Sequence, residues 1–205
     1  MKVLFFLKKV NLVVMENIEK RCPWCIGDIL YENYHDQEWG VPVYEDHKLF
    51  EYLTLETFQA GISWITILRK RENFRIAFDS FDFEKVAQYD EKKILSLLNN
   101  EGIIRNYIKI KASVNNALIF IKIRQNYGSF SKYIWNFMGG KPQQNGFMNM
   151  EEIPAKNPLS KLISKDLKQK GFQFIGPTVI YAFMQATGMV NDHLEDCPRF
   201  SEIQK

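Results

Sequence analysis

No apolar run long enough to cross a membrane occurs near the start of the 205-residue sequence. The longest there, Val3 to Leu7, is cut by Lys8 and Lys9, and a span needs roughly 20 such residues. The same opening has about half the apolar length of a secretory signal, and no small-residue cleavage site follows. The chain is therefore expected in the cytoplasm, with no membrane partner. Charge of one sign is also scarce: the formal net charge is only +3, which identifies no class of partner by itself. Alternating strand patterns and internal repeats are absent, and low complexity is confined to a polar stretch, Gly140 to Asn149. Disorder is excluded by what is plentiful, since 16 Phe, 9 Tyr and 4 Trp supply ample surface to bury. A second methionine, Met15, precedes the polar run Glu16 to Lys20. Residues 1–14 therefore read as an upstream-start artefact or a dispensable tail.

What remains is helical in period. Asp46 is placed to cap a helix carrying Leu49, Phe50, Leu53 and Phe58 that Gly61 ends, and Ser63 to cap a second from Trp64 to about Phe74. Asp82 and Asp90 precede two short helices. Tyr107 to about Gln125 forms the longest, with Gly128 just beyond it. Ser131 opens an aromatic helix broken at Gly139 and Gly140, and the segments Pro158 to Gln169 and Thr178 to Thr187 complete an all-α fold.

Positive charge is clustered. Arg69, Lys70, Arg71 and Arg75 form one group; Arg105, Lys109 and Lys111 a second; Lys161, Lys165, Lys168 and Lys170 a third. Each suits a solvated helix face, but three together with abundant aromatics suggest contact with phosphates. The third group leads into Gly171-Phe172-Gln173-Phe174-Ile175-Gly176-Pro177. Such a turn either plugs Phe172 and Phe174 into the core or offers free amides to an anion at a helix start. The neighbouring lysines favour the anion.

Only three cysteines and three histidines are present, so their placement is informative. Cys22, Cys25 and His35 lie near one end; His193 and Cys197, four apart, lie near the other. Two thiolates and two imidazoles from Cys22, His35, His193 and Cys197 would close a tetrahedral zinc site and staple the chain ends, with no position left for water. Unrelated buried thiols and surface imidazoles remain the alternative, because the spacing is not that of a zinc finger. Cys22-Pro-Trp-Cys25 also fits a redox pair, but no strand precedes it. Cys25 reads as a free thiol or a substitute ligand, and His47 as a surface residue.

A helical wheel of roughly 100° per residue sets Glu56 in the arc of Leu49, Leu53 and Ala60, with Glu51 on the opposite side. A carboxylate on an apolar arc either snorkels at an edge or lines a cleft. Trp24, Tyr31, Tyr34 and Trp39 precede it and Trp64 follows. Most aromatic residues are core, yet Trp39 sits in the polar string Tyr34 to Gly40. An acceptor among flat rings suits a planar, electron-poor ligand with N–H groups, a nucleobase.

Arg21 to Trp24, Tyr34 to Pro42, Leu55 to Phe74, Glu101 to Ile110 and Gly171 to His193 together resemble the 3-methyladenine DNA glycosylase I family, in order, across residues 20 to 197. The resemblance implies a two-lobed, all-α fold of the helix-hairpin-helix glycosylase type. Residues 1–19 would be an N-terminal extension, 20–200 one glycosylase domain and 201–205 a tail. It also implies one structural zinc on Cys22, His35, His193 and Cys197, with Cys25 outside the set. Glu56 becomes the pocket carboxylate and Trp64 the stacking ring, with Trp24, Tyr31, Tyr34 and Trp39 as further walls. Gly61 and Ile62 would enter the gap left by an extruded base, and Gly171, Phe172 and Gly176 would belong to the phosphate-binding hairpin. The expected activity is hydrolysis of the N-glycosidic bond of 3-methyladenine in double-stranded alkylated DNA, by a monomer and without strand cleavage. Free 3-methyladenine would be the product. A zinc-stabilised module that binds lesions without chemistry is the alternative, and a catalytic zinc hydrolase a weaker third.

Overall fold

The computed structural model describes residues 21–204, so the expected N-terminal extension lies outside the described residues. Ten helices are found there: α1 (Ile29–Gln37), α2 (Asp46–Gln59), α3 (Trp64–Ala77), α4 (Phe83–Val86), α5 (Glu91–Leu98), α6 (Tyr107–Tyr127), α7 (Phe130–Asn136), α8 (Pro158–Gln169), α9 (Pro177–Ala186) and α10 (Pro198–Glu202). Short 3-10 turns lie at Pro23–Cys25, Asp79–Phe81 and Met150–Glu152. The only sheet among the described residues is a parallel pairing of β1 (Gln143–Gln144) with β2 (Val190–Asn191). No described helix is long and apolar enough to cross a membrane.

Most helix starts follow the local chemistry. Asp82, Asp90 and Asn106 accept from amides of the first turns of α4, α5 and α6. Asn157 and Ser160 form a reciprocal capping box at α8. Gly128 ends α6 in the left-handed conformation, at φ 84°.

Two expected caps are different. Asp46 is already helical, and its carboxylate reaches across to accept from the amides of Phe130 and Ser131 and from Arg124 Nε. A cap expected for its own helix thus anchors α7, whose N-cap is Ser129 rather than Ser131. Ser63 occupies the N-cap of α3, but its hydroxyl pairs with Thr66 Oγ1 at 2.8 Å instead of a backbone amide. The helix α1 was not expected at all. Asp28 caps it, but only Tyr34 and His35 of its nine residues are buried, so it carries little apolar periodicity.

The core is aromatic. Phe120 stacks on Phe130 at 4.1 Å and meets Phe83 and Phe50 at 5.0 and 5.2 Å, joining α2, α4, α6 and α7. Burying a side chain of this size stabilises by about 1.5 to 3 kcal/mol. Where α9 ends, Gly188 lets two backbones touch. A Cβ there would fall 2.4 Å from Pro42 N, and φ is +65°. The contact lets Val43 N donate to Thr187 O, which locks the segment after α1 onto the end of α9.

Candidate active site

Glu56 lies in the last turn of α2 and is 3% exposed. It sits in a cavity of about 200 Å³ lined by Trp24, Tyr31, Tyr34, Trp39 and Trp64. All five aromatic residues singled out in the sequence therefore converge on the carboxylate. Pockets for drug-sized ligands run to roughly 300 to 1,000 Å³, so this one suits a single base. Trp24 makes edge contacts with Tyr31 at 4.8 Å and Trp39 at 5.0 Å, and Tyr34 leans on Trp64 at 5.5 Å.

Two polar atoms in this cavity are buried without a partner: Glu56 Oε2 and Trp64 Nε1. Buried polar groups are nearly always satisfied, so an orphan acceptor beside an orphan donor marks a place for a polar ligand. Burial alone raises the Glu56 carboxyl from 4.5 to about 8. Burial therefore favours the protonated carboxyl at neutral pH.

Gln59, Met150, Ile153, Ala182 and Gln185 complete the cavity and were not singled out in the sequence. Gln59 lies one turn after Glu56, a spacing that could have flagged it. Gln185 donates to Asp192 Oδ2, which also accepts from Tyr181. Met150 and Ile153 belong to the polar connection between α7 and α8, where the sequence shows no signal.

Behind the cavity, Arg71 donates to Glu38 and Glu51 at 2.7 Å each and lies over the ring of Tyr52. This buried network ties α2 and α3 to Glu38, the residue that ends α1. It also explains Glu51: the face of α2 opposite Glu56 is covered, not solvated. Burial would raise the Glu38 carboxyl, but Arg71 and the Tyr52 hydroxyl hold it below the ordinary carboxylate value.

The four proposed metal ligands come together. Cys22 Sγ, His35 Nε2, His193 Nδ1 and Cys197 Sγ lie within 4.8 Å of one another, all buried. Sulfur to nitrogen separations are 3.5, 3.6 and 3.7 Å, and the nitrogens are 3.1 Å apart. A tetrahedral zinc with ordinary bond lengths needs edges of roughly 3.3 to 3.8 Å; the three sulfur–nitrogen separations lie in that range, the nitrogens would move apart slightly, and two thiols with two imidazoles are the donor chemistry zinc takes. The outer ring nitrogens are also engaged: His35 Nδ1 with Asp36 at 2.8 Å, His193 Nε2 with Trp39 O at 3.0 Å. Both outer partners are acceptors, an arrangement that would turn the inward nitrogens toward a metal.

His193 and Cys197 converge through a turn closed by Cys197 N donating to Leu194 O, not through a helix. Cys25 is buried, and its thiol donates to Cys22 O outside the cluster. His47 is exposed, stacked on Phe83 at 4.6 Å.

The basic clusters divide. The first is spent internally: Arg69 pairs with Asp28, Arg71 as above, Arg75 with Glu51, and Lys70 donates to Glu101 O. Lys109 of the second is buried against carbonyls. The third survives as a lysine-lined hollow of Lys161, Lys165 and Lys168 beside Pro177 at the start of α9. In the adjoining hairpin Phe172 is buried and Phe174 is 42% exposed. Gly171 has φ +104°, and Gly176 is the N-cap of α9. Gly61 is exposed with φ +85° and open space around it, and Ile62 beside it is half-buried.

A mostly helical fold with a hairpin leading into a glycine-capped helix, and an aromatic cavity around a buried carboxylate, matches the architecture that the family resemblance implies, that of a DNA glycosylase. A family model described as methyladenine glycosylase matches residues 24–200. The chain belongs to that family. DNA-3-methyladenine glycosylase of Haemophilus influenzae is 46% identical over 178 residues, covering 87% of this chain and 96% of that protein. DNA-3-methyladenine glycosylase 1 of Escherichia coli is 46% identical over 178 residues, covering 87% and 95%. A crystallised variant of 3-methyladenine DNA glycosylase I, in complex with 3-methyladenine, superposes with a TM-score of 0.85 at 40% identity, covering 87% of this chain and 96% of that one.

Proposed function

We propose that this protein hydrolyses the N-glycosidic bond of 3-methyladenine in alkylated double-stranded DNA. The observation that carries this is the buried, unpartnered Glu56 Oε2 on a carboxylate that lines a base-sized cavity of five aromatic rings. Methylation at N3 gives the base a positive charge, and its departure yields a neutral product, so little acid catalysis is needed. An extruded damaged base sheds weakened pairing and enters between the rings. There its charge favours the ionised form of Glu56, which accepts from the donor edge of the base, while Trp64 stacks on its face. Interactions that strengthen as the bond breaks speed the step.

No lysine is among the residues lining the cavity, which supports a monofunctional reaction without strand cleavage. Gly61 and Ile62 form the exposed turn that enters the gap left by the base. The hairpin from Gly171 to Gly176, with Lys161, Lys165 and Lys168, grips the backbone. Residues 20–200 work as one unit with the cavity between two lobes, and the chain acts as a monomer.

Cys22, His35, His193 and Cys197 would hold one zinc, which would cross-link the ends of the domain. With four protein ligands no position is left for a reacting water. His193 holds Trp39 O, and Trp39 packs 4.6 Å from the His193 ring, so the cluster also braces one wall of the cavity. Incubation with methylated DNA tests the proposal: free 3-methyladenine should appear in solution. Retention of the lesion without release would favour a noncatalytic binding module.

A further inference from the structure

Lys109 has no place in the chemistry above, yet it is among the few buried cations. It is 7% exposed and lies in the first turn of α6, where the positive end of the helix dipole opposes it. No carboxylate faces it. Its ammonium donates instead to Phe58 O at 2.9 Å and Ala60 O at 2.7 Å. These are terminal carbonyls of α2, and the one between them, Gln59 O, accepts from Ile62 N at 2.6 Å. Burial pulls the Lys109 amine below its ordinary value. A cation kept at such a cost holds the end of the helix that carries Glu56 and Gln59, one residue before the Gly61 turn.

Seven residues further along the same helix, Asn116 grips the other element. It is 4% exposed; its Oδ1 accepts from Gln173 N at 2.8 Å and its Nδ2 donates to Gln173 O at 3.0 Å. Asn115 Nδ2 adds a bond to Gly171 O at 2.8 Å. Beyond Gln173, Phe174 has a left-handed φ of 54°, and Ile175 O accepts from Ser164 at 2.6 Å. An L-residue in that conformation is strained and persists where its neighbours are clamped.

We infer that α6 acts as a ruler: Lys109 and Asn116 are positioning residues that fix the spacing between the Gly61-Ile62 turn and the Gly171 to Gly176 hairpin. At about 1.5 Å per residue, seven residues are two turns and about 10 Å along one helix face. The functional part of this inference rests on the proposed glycosylase reading, in which one element enters the duplex and the other holds its backbone. An extruded base reaches Glu56 only when both are in register.

Two measurements on the full chain separate the inference from that reading. Amide exchange tests positioning without any chemistry. Lys109→Met, which frees the end of α2, should loosen the bond from Ile62 N to Gln59 O and speed exchange of the Ile62 amide about tenfold; Asn116→Ala, which removes the acceptor of the Gln173 amide, should do the same for Gln173. Unchanged exchange in both would overturn the ruler whether or not the chain is a glycosylase.

The second compares free 3-methyladenine binding with single-turnover excision from a duplex holding one lesion. Each variant should bind the free base within about twofold of wild type but excise about tenfold more slowly. Lys109→Arg, which restores two donors, should recover most of the rate. A parallel fall in free-base affinity and excision, or undiminished excision, would overturn the inference. Absence of excision by the wild type would overturn the glycosylase reading, and exchange would still decide the ruler.

Discussion

Replacing Glu56 with Gln should make the protein more stable and less able to bind its base. Burial raises this carboxyl from 4.5 in the unfolded chain to about 8 in the fold. Between those values the unfolded chain releases a proton that the folded one keeps, so stability falls as pH rises. Each pH unit in that window costs about 1.4 kcal/mol. At pH 7 the penalty is on the order of 3 kcal/mol, and at pH 5 it has fallen below about 1 kcal/mol. A glutamine keeps the shape and cannot ionise, so Glu56→Gln should melt several degrees higher at pH 8 and hardly differently at pH 5.

Binding should move the other way. The variant loses a charge-assisted hydrogen bond worth roughly 1.5 to 3 kcal/mol and presents a donor to the donor edge of the base. Free 3-methyladenine should bind about ten to a hundred times more weakly, and excision should slow similarly. Thermal melts at both pH values, with calorimetric titration of the base, measure both effects. A folded Glu56→Gln protein with unchanged base affinity and no gain in stability at pH 8 would refute the placement of Glu56 in the site.

Other substitutions probe the remaining parts. Trp64→Ala removes the ring expected to stack on the base and part of the cavity wall; base affinity should fall about tenfold with some loss of stability, and unaltered affinity in calorimetry would argue against stacking by Trp64. Elemental analysis should find one zinc per chain, and Cys197→Ser should release it, lower the melting temperature and, through Trp39, weaken base binding. A metal-free chain of full stability would contradict this. Arg71→Met leaves Glu38 with the Tyr52 hydroxyl alone and Glu51 with Arg75 alone, and should cost about 2 kcal/mol, read as a melting point lower by several degrees. Exchanging Lys161, Lys165 and Lys168 for Gln should reduce the salt dependence of duplex affinity by about 2 to 3 units of logarithmic slope; an unchanged slope would place the DNA elsewhere.

Helices with strong local punctuation were legible in the sequence. Residues 158–169 carry Pro at the start and a regular apolar stripe, and the observed α8 has those bounds. Where a polar residue serves a distant partner, local reading failed. Asp46 satisfies amides of α7, and the arginines of α3 look like a DNA-facing cluster until Glu38 and Glu51 are seen beneath them. The site divides similarly. Four rare ligand residues and a carboxylate on an apolar arc stand out in one dimension. Ala182, Gln185, Met150 and Ile153 become cavity walls only once α9 and the Met150 turn close over α2, and no period in the sequence encodes that closure.

The most direct test of the account is a single-turnover reaction on a defined duplex carrying one 3-methyladenine, following free base and strand integrity together. The account predicts release of one equivalent of 3-methyladenine, an intact strand with an abasic site, and a rate about ten to a hundred times lower for Glu56→Gln. Tight binding of the duplex with no released base, or release at the wild-type rate by that variant, would contradict it.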